Sequence, residues 1–175
     1  MIKITRKLPK LYQRIEFVSL IIMNENKDLL VSQRKNQSKP MHGYWQCIGG
    51  KIDNDDITTS DAIKRETEEE TGIILDNFKM EPQYLFKYTK KGFNYFPKRP
   101  YQFVKRIVYV YELKSMIREI EDEIIQNTET DNFTQWIWKN INDLQKDRCI
   151  TTLEKYIQKE KERCMTTLEK YIQNE

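Results

Sequence analysis

The glycine pair Gly49-Gly50, followed after a polar loop by Arg65-Glu66-Thr67-Glu68-Glu69-Glu70-Thr71-Gly72-Ile73, constrains this chain more than any other segment. On a helix, Glu66, Glu69 and Glu70 stand at i, i+3 and i+4, so their Cβ atoms lie roughly 5–6 Å apart on one face. Like charges so close weaken a helix, whereas a hard cation such as Mg²⁺ turns the same oxygens into ligands and cancels the penalty. The competing reading is a solvated acidic face, the ordinary fate of a charge run. The flanking residues favour the first. Tyr44-Trp45-Gln46-Cys47-Ile48 is strand-like and leads into the glycines, Thr59 or Ser60 can cap the helix, and Asp61 suits its positive end. Gly72 suits the left-handed position that ends it.

The surroundings bound the fold. At 175 residues, 38% of them hydrophobic, the chain can bury one core of ordinary size but not a second catalytic domain. Ile15 to Met23 and Leu29 to Arg34 read as a hairpin about the turn Asn24 to Asp28. Tyr84 to Tyr88 and Phe103 to Tyr111 read as two more strands joined by a loop containing Gly92, Pro97 and Pro100, and Trp136-Ile137-Trp138 as a last short strand. Strands with helices towards both ends suggest an α/β sandwich rather than a doubly wound sheet.

From Ile141 onward there is neither Gly nor Pro, and the pattern is helical. The segment 148–158, RCITTLEKYIQ, recurs fifteen residues later as 163–173, RCMTTLEKYIQ, with one difference in eleven positions. Ile150, Leu153 and Ile157 form an i, i+3, i+7 stripe, and Met165, Leu168 and Ile172 form another. Fifteen residues turn a straight helix by roughly 60° beyond whole turns, so both stripes cannot share one docking surface without a bend or break. The expected organisation is a domain over 1–160 and a helical extension over 161–175, either a projecting turn or a self-association surface.

Charge and cysteines exclude some classes. With 30 basic and 27 acidic side chains the formal charge is +3, no general case for a nucleic-acid binder. Cys47, Cys149 and Cys164 form no CxxC pair, which disfavours zinc and suits a reducing, cytoplasmic compartment. No apolar run approaches the roughly 18 residues of a membrane span, and Met1 to Lys10 lacks the apolar core of a signal peptide.

Residues Gly50, Arg65, Glu66, Glu69, Glu70, Gly72 and Ile73 fit the pattern G-x5-E-x7-R-E-U-x-E-E-x-G-U, with U apolar, and on these residues the chain resembles the Nudix hydrolase superfamily, in its MutT-like branch. Asp56 occupies the early glutamate position, eight rather than seven residues separate it from Arg65, and Thr67 replaces an apolar residue. The resemblance implies an α/β/α sandwich with the acidic helix packed on a mixed β-sheet. It also implies hydrolysis of a diphosphate-linked nucleoside compound with Mg²⁺, or Mn²⁺ as a substitute, chiefly a nucleoside triphosphate, oxidised or not, to monophosphate and pyrophosphate. By the same resemblance Glu66 is the base or water-orienting group and Arg65 its positioning partner. Glu69 and Glu70 are then the principal metal ligands, joined by Glu66 and the Gly49 carbonyl.

A second segment, Glu129 to Trp138, resembles the E-P-x-K-x-x-x-W-x-W stretch of Nudix enzymes acting on nucleoside triphosphates, with Thr130 and Asn132 in place of its proline and lysine. Glu129 becomes a distal metal ligand. One of Trp136 and Trp138 faces inward if both lie on a strand, and the other stacks on a base or is merely exposed; Trp136 is taken as the substrate contact, with Arg34 and Lys51. Lys87 to Tyr101 interleaves basic and aromatic residues and is either a base-stacking loop or a solvated hairpin tip. The single histidine, His42, is a loop residue near the pocket. Two other readings stay open: a diphosphatase for an mRNA cap, nucleotide sugar or diphosphoinositol, and a catalytically weak binding module.

Overall fold

A computed structural model describes residues 12–38, 40–77, 81–96, 99–114 and 131–172. The strands are β1 (Tyr12–Met23), β2 (Asp28–Gln33), β3 (Trp45–Gln46), β4 (Gln83–Phe96), β5 (Arg99–Lys114) and β6 (Ile137–Asn140). The helices are α1 (Thr59–Thr71), α2 (Ile141–Leu144) and α3 (Thr151–Ile172), with a 3₁₀ turn at Leu75–Asn77. The sheet runs β3-β2-β1-β5-β4, with β6 also on β2. Only β1 and β5 run parallel, so the sheet is mixed.

β1 is central, and its alternation builds both layers. Val18, Leu20 and Ile22 face α1, where they pack with Ala62, Ile63, Leu30, Leu113 and Trp136. Ile21 points the other way, into a cluster of Leu29, Val31, Val110 and the α3 residues Leu153, Tyr156 and Ile157. A strand buried on both faces reads as the near-continuous apolar run seen at Phe17 to Met23, interrupted only by Ser19. Helix, sheet and helix thus make the expected sandwich.

Two local expectations change. The stretch between Tyr88 and Phe103, expected to be a loop, is strand wherever it is described: β4 runs on to Phe96 and β5 starts at Arg99, antiparallel and pairing Gly92 with Val104 and Asn94 with Gln102, while residues 97 and 98 lie outside the described residues. Cross-strand pairing overrides the loop signal of Gly92 and Pro100. The cap of α1 is Thr58, one residue earlier than Thr59: its hydroxyl accepts from the Asp61 N–H at 3.1 Å while the Asp61 carboxylate accepts from the Thr58 N–H at 2.8 Å. This reciprocal pair satisfies two otherwise orphaned donors. α3 is one helix that runs from the first repeat into the second. Its first copy is buried through Leu153, Tyr156 and Ile157, whereas Cys164, at the start of the second, is exposed and Met165 is 61% accessible.

Candidate metal and catalytic site

The glycine turn is strapped to the sheet. Val18 and Leu20 donate their N–H groups to the carbonyls of Gly50 and Ile48 at 2.9 Å, and the Ile52 N–H returns to the Glu16 carbonyl at 3.0 Å. The Gly49 carbonyl takes no part in this pairing, and its N–H is donated to Glu70 Oε2 at 3.1 Å. Gly49 has φ +142, and a Cβ there would stand 2.3 Å from the Val18 carbonyl oxygen, so only glycine fits. A Cβ at Gly50 would stand 2.2 Å from Glu66 Oε2. The second glycine is therefore the space in which the Glu66 carboxylate sits.

α1 carries the acidic face to this turn and ends at Gly72, whose φ of 73 and N–H bond to the Glu68 carbonyl match the expected stop. Thr67, where the Nudix pattern has an apolar residue, is fully buried and tolerable because its hydroxyl donates to the Ile63 carbonyl at 2.6 Å. Glu66 and Glu70 are buried under the turn, while the Glu69 side chain is 52% exposed. Burial pushes the Glu66 carboxyl above the usual carboxylate range, and the hydrogen bond and charge of Arg65 pull the other way.

Arg65 organises the site. Its Nε and Nη2 donate to the two oxygens of Asp56 at 3.1 and 2.9 Å, and Nη2 also donates to the Lys51 carbonyl at 3.0 Å. Nη1 lies 2.9 Å from both Glu66 Oε1 and Glu69 Oε2. The fork holds Asp56 well below the usual aspartate range, chiefly through the Arg65 hydrogen bond, and raises the Arg65 guanidinium for the same reason. Asp56 was visible in sequence only as a displaced acidic residue; its role as the anchor of Arg65 needed the fold. The extra loop residue is absorbed by a turn in which Asp56 N–H donates to the Asp53 carbonyl and Asp53 N–H to Asp56 Oδ2.

Whether these groups suit a metal is decided by their chemistry and placement. All are carboxylate or carbonyl oxygens, the donor set of a hard cation, and the Gly50 cradle keeps Glu66 beside the turn. Among the described residues no three acidic, His or Cys side chains are gathered into one ready-made cluster. The Arg65 guanidinium lies instead between Glu66 and Glu69, of which Glu69 is the more exposed. Glu66, Glu69, Glu70 and the Gly49 carbonyl offer the oxygen donors that a hard divalent cation takes; Glu129 lies outside the described residues.

On the other side of the glycine turn opens a cavity of about 360 Å³, lined by Gly49, Gly50, Arg34, Arg106, Tyr88 and Lys90, with Thr151 and Thr152 of α3. Arg34 is among the lining residues, its guanidinium also lying 5.6 Å from the Phe133 ring. Tyr88 and Lys90 come from the basic and aromatic stretch now seen as strand. Lys51 is outside the lining, exposed and 3.6 Å from Asp53. His42 sits in an exposed loop beside the lining residues Pro40 and Met41.

Trp136 corrects an expectation. It is 3% exposed, packs in the α1 layer, and donates its indole N–H to the Glu70 carbonyl at 3.0 Å. It offers no face to a base. β6 begins only at Ile137, so the alternation that was to divide the two tryptophans does not reach Trp136, and Trp138 packs partly against the same cluster.

The NUDIX domain model matches residues 14–159. The chain belongs to the Nudix family. The family's chemistry is hydrolysis of pyrophosphate linkages. No curated protein sequence matches it. Among solved structures, the NUDIX domain of Shewanella oneidensis NrtR, complexed with ADP ribose, is 16% identical with a TM-score of 0.63, covering 91% of this chain and 94% of its own. The MutT Nudix hydrolase of Burkholderia pseudomallei is 19% identical with a TM-score of 0.58, covering 83% and 97%. The dihydroneopterin triphosphate pyrophosphohydrolase of E. coli is 17% identical with a TM-score of 0.63, covering 86% and 97%. At such identities the Nudix likeness to these structures is one of fold. No helix among the described residues is long and apolar enough to cross a membrane.

Proposed function

We propose that this Nudix hydrolase cleaves a nucleoside triphosphate, canonical or oxidised, to the monophosphate and pyrophosphate, with Mg²⁺ at Glu66, Glu69, Glu70 and the Gly49 carbonyl. The supporting observation is the glycine turn itself, which has the acidic face of α1 on one side and a cavity lined by Arg34, Lys90 and Arg106 on the other. Three cationic side chains suit a substrate with several phosphates. The bound Mg²⁺ would supply neutralisation of phosphate charge and an acidified water. Glu66, set in the space that Gly50 leaves, accepts the proton of the attacking water, and Arg65 keeps that carboxylate aimed at the turn. Arg34 and Lys90 orient the phosphate chain, and the apolar cavity wall receives the base.

The test is pyrophosphate release with Mg²⁺ or Mn²⁺ across canonical and oxidised triphosphates, ADP-ribose and other nucleotide sugars, capped RNA and diphosphoinositols. The expected outcome is triphosphate turnover that falls by about 10²–10⁴-fold in Glu66→Gln and is also lost in Glu69→Gln. Preference for another diphosphate would move the substrate assignment, and inactivity over the whole panel would end the catalytic reading in favour of a binding module.

A further inference from the structure

The first repeat is a docked ligand of its own domain. Leu153, Tyr156 and Ile157 are buried against the sheet, the Tyr156 hydroxyl donates to Glu112 Oε1 at 2.5 Å, and Thr152 Oγ1 lies 2.8 Å from the Tyr88 hydroxyl. At its start, the Arg148 carbonyl and the Ile150 N–H both bond to the Trp45 backbone, at 2.8 and 2.9 Å. Each of these groups has a counterpart fifteen residues on, in Arg163, Met165, Thr167, Leu168, Tyr171 and Ile172, and Ile150→Met165 is the sole change. Lys161-Glu162 even precedes the second copy as Lys146-Asp147 precedes the first.

We infer that the groove seating 148–158 is a binding site for 163–173 of the same chain, so that α3 has two registers. In the second register, residues 148–162 leave the groove as a fifteen-residue excursion and the second repeat takes their place. Such a loop is long enough to close without strain, and closure cost rises only logarithmically with length. What the exchange loses lies between the repeats and in the excursion: the Lys159 ammonium 4.6 Å from the Phe86 ring, and the Glu160–Arg163 pair at 2.6 Å. These contacts, with the unbroken helix, favour the register seen here. The cavity wall survives the exchange, because Ile150, Thr151 and Thr152 are replaced by Met165, Thr166 and Thr167. The sequence linking this groove to its alternative occupant is independent of the reaction proposed above.

Cys149 is buried and Cys164 exposed, so the two thiols report which repeat is seated. In the full-length wild type, a thiol reagent should label Cys164 and spare Cys149. Leu153→Asp should disable the first repeat only: the chain stays folded and monomeric, Cys149 labels at least tenfold faster than in wild type, and Cys164 becomes protected. Leu168→Asp should keep the wild-type pattern, and the double variant should lose its cooperative thermal transition. The inference is overturned if Leu153→Asp unfolds as the double variant does, if it stays folded with Cys149 still protected, or if it becomes a dimer, which would place the exchange between chains.

Discussion

Asp56 stands where the Nudix pattern has a glutamate, and one methylene less is made up by the extra loop residue. The result is a two-toothed contact with Arg65 in which the Asp56 side chain is 6% exposed and that of Arg65 28%. Asp56→Asn should destabilise the fold by roughly 1–2 kcal/mol, less than a fully buried pair because Arg65 is partly solvated. Because Asp56 is depressed in the folded state, its contribution is complete above the unfolded value of about 3.9 and is lost as pH falls through the folded one. Melting curves between neutral pH and about pH 2 should therefore converge for wild type and Asp56→Asn at the acid end. Trp136→Phe gives the complementary outcome. It removes the hydrogen bond to the Glu70 carbonyl and should cost about 1 kcal/mol with an unchanged KM; a raised KM would return Trp136 to the substrate site. The acidic face could be read from spacing alone, because a helix fixes i, i+3 and i+4 locally. The partner of Arg65 could not, since Asp56 lies in the irregular loop that precedes α1, whose path no local period sets.

At the scale of elements, α1 and the glycine turn act as one device. Gly50→Ala would place a methyl group 2.2 Å from Glu66 Oε2, so turnover should fall steeply, by about 10²-fold or more, while far-UV circular dichroism of the variant stays native. Thr58→Ala removes one half of the reciprocal cap and should lower stability by about 1 kcal/mol, read from denaturant midpoints at constant slope. The helix stop at Gly72 was legible because a left-handed residue is a local demand. The length of β4 and β5 was not: Gly92 and Pro100 argue for a loop, and only pairing along the whole hairpin outweighs them.

Across the molecule, the sheet separates two jobs. One face holds the acidic helix α1, and the other holds α3, whose first turn closes the cavity through Thr151 and Thr152. Tyr156 ties that helix to β5 through Glu112, a carboxylate that is itself buried. Tyr156→Phe should leave the carboxylate short of a donor and cost about 1–3 kcal/mol by thermal melting. If the second repeat can fill the groove, the wild-type Tyr171 softens that loss. Leu168→Asp in the same background should then restore it in full.

The sequence by itself determined the acidic face, the glycine turn that meets it, the apolar strands of the sandwich and the repeated tail, because each depends on spacing along a helix or strand of known period. Only the tertiary structure decided that Asp56 holds Arg65, that Arg65 lies between Glu66 and Glu69, that Trp136 is core, and that Tyr88 and Lys90 share a cavity with Arg34. Those relations join residues from separate elements, and their geometry is set by how the sheet brings the elements together rather than by any local rule.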